Sequence, residues 1–236
     1  MEAVFELDAA RSSLEELARQ WEGQSAQATL SEAVRAFGDN LVLACSFGPE
    51  DIVLIDLLSQ VAPNAQVFFI DTGYHFPETL ALKERVLARY PQLRLKTVTP
   101  LSTVEAQDTE HGERLYERSP DSCCAMRKVE PLNRVLKGYK AWITGMRREQ
   151  APTRSDIGLV QWDSRRGMVK FNPLATWTNG EVWKYVIDHK LEYNPLHDQG
   201  YPSIGCAPCT VAVAPGQDPR SGRWSGKGKI ECGLHT

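Results

Sequence analysis

Five short runs dominated by Val, Ile, Leu, Phe and small apolar residues punctuate the chain, at 41–45, 67–70, 93–98, 141–144 and 168–171, and their length is that of strands. Around them, over 12–21, 29–37, 50–61, 77–90, 127–136 and 179–189, apolar residues return every three or four positions, the spacing of a helix with one buried face. Thr178 or Asn179 is placed to cap the last of these helices. Strands that alternate with helices predict an α/β fold, a parallel sheet flanked by helices.

In an open sheet of that kind ligands gather beyond the carboxyl ends of the strands. Three of those ends are polar or small here. Ser46-Phe47-Gly48-Pro49-Glu50-Asp51 follows the first run, Asp71-Thr72-Gly73 the second, and Gly145-Met146-Arg147-Arg148 the fourth. Ser46 and Gly48 stand at the start of a helix, where unpaired backbone N–H groups favour an anion, although a plain strand-to-helix turn would use the same glycine and proline. No Gly-Lys-Ser/Thr sequence accompanies them, so this is not a Walker loop. Asp71 can accept from a base or ribose, and Arg147, Arg148 and Arg154 carry planar forks suited to anionic oxygens.

The balance of charge narrows the partners. The 236 residues hold 27 Lys and Arg against 30 Asp and Glu, a formal charge of −3, and 42% are hydrophobic, which excludes intrinsic disorder and a disulfide-built miniprotein. Neither nucleic acid nor a membrane surface is an expected partner, because either calls for a basic excess. The acidic start, Met1-Glu2-Ala3-Val4-Phe5-Glu6, does not resemble a secretory signal, and no run is apolar for the length of a membrane helix; the expected location is cytoplasmic. Domain organisation reads as one α/β domain over 1–213 followed by a mobile tail over 214–236. That tail is rich in glycine and carries Arg220, Arg223, Lys227 and Lys229 against Asp218.

Cysteine placement carries the most chemistry. In a reducing compartment, close thiol clusters mean metal or redox chemistry rather than structural bridges. Cys123-Cys124 and Cys206-Ala207-Pro208-Cys209 form two close pairs. Adjacent residues strain to hold one ion, whereas a polynuclear iron-sulfur cluster lets each thiolate bind its own iron, so a four-iron cluster is favoured. Two alternatives stay open: a redox dithiol at Cys206 and Cys209, and a zinc site built from Cys206, Cys209, Cys232 and His235. Cys232, with His235 three residues on and cations upstream, is the candidate nucleophile; Cys45 reads as a small buried apolar residue.

From about Asp39 to the end, the chain resembles the assimilatory adenylyl-sulfate (APS) reductases of the iron-sulfur type, relatives of the phosphoadenylyl-sulfate (PAPS) reductases. The resemblance rests on Ser46-Phe47-Gly48-Pro49-Glu50-Asp51, Ile70-Asp71-Thr72-Gly73, Phe76-Pro77-Glu78-Thr79, Cys123-Cys124 with Arg127-Lys128-Val129-Glu130-Pro131-Leu132, Thr144-Gly145-Met146-Arg147-Arg148-Glu149-Gln150, Tyr193-Asn194-Pro195-Leu196, Gly200-Tyr201-Pro202-Ser203-Ile204-Gly205-Cys206 and Glu231-Cys232-Gly233-Leu234-His235. It implies an adenine nucleotide alpha-hydrolase-like fold and a 4Fe-4S cluster on Cys123, Cys124, Cys206 and Cys209. It also implies catalytic roles for Cys232, His235 and Lys128, substrate contacts at Arg147, Arg220 and Arg223, and a nucleotide crevice lined by Ser46, Gly48, Asp71 and Gly73. The implied reaction is reduction of adenylyl sulfate to sulfite and AMP through an S-sulfonate on Cys232, with thioredoxin or a glutaredoxin-like dithiol protein as reductant. PAPS reduction, or use of both substrates, is the nearer alternative, and a zinc-binding regulatory protein the more distant one. Oligomeric state is left open, a homo-oligomer included.

Overall fold

The computed structural model describes residues 14, 16–227, 229 and 231–234. Six strands form one sheet in the order β3-β2-β1-β4-β6-β5. They are β1 (Leu41–Cys45), β2 (Gln66–Ile70), β3 (Arg94–Val98), β4 (Ala141–Ile143), β5 (Val160–Asp163) and β6 (Met168–Phe171). All neighbours run parallel except β5, which pairs antiparallel with β6. Leu43 lies opposite both Val67 of β2 and Ile143 of β4, so β1 is the central strand.

Its near-continuous apolar sequence follows from that position, because a central parallel strand is covered on both faces. The period-two alternation divides its residues. Leu41, Leu43 and Cys45 join one core with Val67, Phe69, Ile143 and Phe171, whereas Val42 joins a second core with Phe68, Trp142 and Met168. The first core is closed by α1 (Ala26–Phe37), α2 (Pro49–Val61) and α8 (Asn179–Asp188), and the second by α7 (Glu130–Leu136). Remaining helices are α3 (Pro77–Arg89), α4 (Val104–His111), α5 (Leu115–Arg118) and α6 (Pro120–Cys124).

Five sequence-predicted strands are present, each within a residue of its expected ends. The sixth, β5, was not expected. It is short and only its first residue is buried, so its apolar pattern is weak; what marks it is the turn after Asp163, where Gly167 takes φ +62° and leads straight into β6. Helix α1 begins three residues before its expected start, at the cap where Ser25 Oγ accepts from Ala28 N at 3.1 Å. The helix expected over 127–136 is α only from Glu130; Ala125–Val129 is a π-helical turn continuing α6. Of the helix expected over 12–21, residues 14 and 16–21 are helical, and 12, 13 and 15 lie outside the described ones.

The chain runs from β1 to β2 to β3 on one side of β1 and returns to β4 on the other. The loops after β1 and β4 therefore diverge at a topological switch point, where α/β sheets open their ligand crevice.

Candidate active site

The loop after β1 is held by a side chain of the helix it enters. Asp51 Oδ2, in the first turn of α2, accepts from Ser46 N at 2.6 Å and from Ser46 Oγ at 2.7 Å. Burial pushes the Asp51 carboxyl up to about 6, against the opposing pull of the Ser46 bonds. Between them, Phe47 takes φ +60°, a left-handed conformation rare for an aromatic residue, and stays buried against Phe69 with ring centroids 5.2 Å apart. Gly48 is the N-cap of α2 and Pro49 its first residue, so the helix presents its unpaired N–H groups to the crevice. Ser46 and Gly73 are exposed and Asp71 half-buried at this mouth, and Asp71 Oδ1 accepts from Gly73 N at 2.9 Å.

The β4 loop approaches α2 so closely that a Cβ on Gly145 would lie 2.8 Å from Asp51 Oδ1 and from Glu50 Cβ. Arg147 is buried there. Its Nε and Nη2 donate to Glu50 Oε1 at 2.9 and 2.8 Å, and Nη1 donates to Glu149 and to the Trp177 carbonyl, both at 3.2 Å. Arg148 turns the other way, onto Glu22 and the Ile157 carbonyl.

Both cysteine pairs line one pocket. Cys123 and Cys124 end α6, and Cys206 and Cys209 flank a single 3-10 turn; Tyr74, Tyr116, Pro120, Pro208 and Trp224 complete the wall with Arg127 and Lys128. The β2 loop ties this turn down: Ala207 N donates to the Tyr74 carbonyl at 2.7 Å, and Thr72 Oγ1 lies 3.3 Å from Cys206 Sγ. Burial, then the neighbouring thiols Cys124, Cys206 and Cys209, push the Cys123 thiol up to about 12, and burial also raises Cys124 and Cys209. Thiols crowded this way gain by deprotonating onto a metal. Among the described residues no three His, Cys, Asp or Glu side chains are grouped to hold a single ion. The four cysteines that line this one pocket are a donor set of the kind that a metal group takes. Trp224, whose buried Nε1 has no hydrogen-bond partner among the described residues, offers a donor in that wall.

Lys128, in the π-helical turn after Cys124, lines the cysteine pocket. Burial works against its charge, yet the thiol groups of Cys206 and Cys232, and then Cys124, hold its ammonium above the ordinary lysine value despite nearby Arg223. Cys232 lies within electrostatic reach of Lys128, Cys124 and Arg220. The described part of the tail lies against the body: Thr210 and Arg223 form an antiparallel bridge, and Arg223 Nη1 donates to the Ile204 carbonyl at 3.2 Å. Thus Cys123, Cys124, Cys206, Cys209, Lys128, Arg220, Arg223 and Cys232 come together. Ser46, Gly48, Asp71 and Gly73 edge the crevice at the strand ends, Arg147 is engaged by carboxylates beneath it, and His235 lies outside the described residues.

Three contributors were missed from the sequence. Arg127 is buried, donates to the Thr72 carbonyl at 2.5 Å and to Gln107 Oε1 at 3.2 Å, and lies over the Tyr74 ring at 5.3 Å, fixing the β2 loop against the cysteine pocket. Tyr74 and Trp224 are pocket walls. For Arg127 the available signal was its position one helical turn after Cys123, on the same face; nothing local marks the two aromatics.

A family model described as the phosphoadenosine phosphosulfate reductase domain matches residues 40–212. A protein of Gloeobacter violaceus named phosphoadenosine 5'-phosphosulfate reductase is 66% identical over 228 residues, covering 96% of this chain and 95% of the relative. One of Bacillus subtilis named adenosine 5'-phosphosulfate reductase 1 is 50% identical over 212 residues, 90% of this chain and 91% of the relative. Among solved structures, a Candida auris PAPS reductase in a phosphate complex aligns with TM-score 0.74 at 32% identity, covering 84% of this chain and 96% of that one. Candida glabrata FMN adenylyltransferase, at 17% identity and TM-score 0.57 over 91% of this chain and 80% of its own, shares the fold alone. With a domain match across most of its length and relatives this similar end to end, the chain belongs to the phosphoadenosine phosphosulfate reductase domain family.

Proposed function

We propose that the chain reduces adenylyl sulfate to sulfite and AMP, with Cys232 as nucleophile. The observation that supports this reading is that Glu231, next to Cys232, is bonded to both Arg154 and Arg220, with Lys128 and Arg220 within electrostatic reach of the cysteine. A thiolate approaching a phosphosulfate meets like charge, and fixed cations lower that barrier. In this reading Ser46, Gly48, Asp71 and Gly73 hold the nucleotide, Lys128, Arg220 and Arg223 act at the phosphosulfate, and His235 is assigned a role there by the resemblance alone. Cys232 Sγ attacks the sulfate sulfur, the S–O bond to the phosphate breaks, and AMP departs with that electron pair. A dithiol protein of the thioredoxin or glutaredoxin class then attacks Cys232 Sγ and expels sulfite. Its second thiol resolves the mixed disulfide, supplying both electrons in all and returning Cys232 as thiolate.

Cys123, Cys124, Cys206 and Cys209 are the residues that would hold a 4Fe-4S cluster, whose contribution when bound is a fixed electrostatic centre next to Lys128. The Gloeobacter relative's name favours a second reading, in which the 3′-phosphorylated substrate is used as well or instead. Side-by-side turnover of the two nucleotides separates them.

The test is mass spectrometry after incubation with adenylyl sulfate and no reductant. A sulfonate mass on the peptide containing Cys232 is expected, absent in Cys232→Ser although that variant still binds AMP. Sulfite production by Cys232→Ser at the wild-type rate overturns the assignment.

A further inference from the structure

The residue before Cys232 is clasped. Arg154 Nε donates to Glu231 Oε1 and Nη2 to Oε2, both at 2.8 Å, a two-pronged pair whose side chains are only 9% and 12% exposed. Thr153 Oγ1 adds a bond to Oε1 at 3.4 Å and Arg220 Nη2 one to Oε2 at 3.3 Å. Burial alone would raise the Glu231 carboxyl, but Arg154, and then Arg220, bring it below the ordinary glutamate value. Arg154 ends the 3-10 turn Pro152–Arg154 and is itself braced by Gln150, whose carbonyl oxygen accepts from Nη1. On the far side of Cys232, Leu234 packs on the core that contains Val42 and Trp142, and its carbonyl accepts from Arg166 Nη2 at 3.2 Å.

We propose that Arg154 is a positioning residue for the reaction: its grip on Glu231 fixes where Cys232 is presented and keeps the adjacent carboxylate neutralised while an anionic substrate is bound. The inference rests on the reading of Cys232 as nucleophile. Two anchors, one on each side of the cysteine, restrict the thiol to a small arc, which is what attack in line with the leaving oxygen requires.

The experiment follows sulfonate formation on Cys232 in a single turnover, together with alkylation of Cys232 by iodoacetamide in the absence of substrate. In Arg154→Ala the sulfonation rate constant falls at least about tenfold and alkylation quickens by a similar factor, as the closed population drops, whereas AMP affinity changes less than about twofold. Glu231→Gln likewise slows sulfonation and quickens alkylation. Arg154→Glu with Glu231→Arg regains part of the sulfonation rate, and Arg154→Lys, which keeps the charge and loses the fork, falls between. Wild-type sulfonation and alkylation rates in Arg154→Ala overturn the proposal. So does a slower sulfonation with unchanged alkylation and no recovery in the exchanged pair, which marks a merely structural arginine. Wild-type protein that forms no adduct on Cys232 instead overturns the nucleophile reading, and the alkylation rates alone then decide whether the clasp exists.

Discussion

Replacing Arg147 by Ala separates two roles that one arginine at the β4 carboxyl end can play. Its side chain is 5% exposed and that of its main partner, Glu50, 13%, with two donor nitrogens on a single Glu50 oxygen at 2.9 and 2.8 Å. Once Arg147 is removed, Glu50 Oε1 keeps only the Gln150 amide, at 2.9 Å. A buried carboxylate stripped of its cation costs about 3–5 kcal/mol. For a domain of this size each kcal/mol lowers the melting temperature by roughly 2–4 °C, so a fall of about 6–20 °C is expected. Circular-dichroism melts measure it, and AMP titration runs alongside. Adding Glu50→Gln removes the stranded charge and restores a large part of the loss, an outcome that a substrate-binding arginine would not show. A melting temperature within about 2 °C of wild type, with nucleotide affinity down tenfold, would refute the reasoning and return Arg147 to the phosphosulfate.

Asp51 gives a pH test. Its carboxyl stands near 6 in the folded chain against 3.8 unperturbed, so between those values the folded form keeps a proton that the unfolded form has lost. Stability therefore declines as pH rises through that window, by about 3 kcal/mol in all, and Asp51→Asn flattens the slope of urea midpoints measured from pH 4 to 7. A Cβ at Gly145 meets Asp51 Oδ1 and Glu50 Cβ at 2.8 Å; Gly145→Ala is expected to cost about 1–3 kcal/mol in urea titrations and to weaken AMP binding, since it pushes two walls of the crevice apart. Thr178 Oγ1 accepts from Glu181 N at 3.1 Å while Glu181 Oε2 accepts from Thr178 N at 2.7 Å. Thr178→Ala breaks this capping box at a cost of about 1 kcal/mol, visible as a lower urea midpoint with turnover unchanged.

The parts of the molecule legible in the sequence are those where one physical demand writes a local pattern. Strand β1 is apolar on both faces because it is central, and α8 begins at Thr178 because a hydroxyl there meets an orphan N–H. Residues 46–51 and 145–148 read as crevice loops because polar and small residues follow buried strands. What escaped was set by distant partners. Strand β5 is an edge strand whose pairing with β6 is fixed by the turn between them rather than by burial. The left-handed backbone after β1 falls on Phe47 and not on the neighbouring glycine, because Phe69 holds the ring in the core. Cys123 and Cys206 belong to one pocket through the docking of the β2 loop, a contact between segments far apart in the chain.

The arginines show why residue type in a motif does not assign a role. Arg147 and Arg154 read as anion forks and Arg127 carried no such reading, yet the fold engages all three with protein oxygens: Arg127 with the backbone of the β2 loop, Arg147 with Glu50, Arg154 with Glu231. Each commitment joins an element of the crevice to one that arrives later or earlier in the chain. A guanidinium fills this part well because it stays charged when buried and has five donors to distribute. The cations within electrostatic reach of Cys232 stand differently: burial, then Arg154 and Arg223, lower Arg220 against the pull of Glu231, whereas Cys206, Cys232 and Cys124 hold Lys128 above the ordinary lysine value despite burial. An incoming anion would offset the burial and repulsion that act on Arg220, which supports its proposed place at the phosphosulfate, while the buried arginines hold the walls apart.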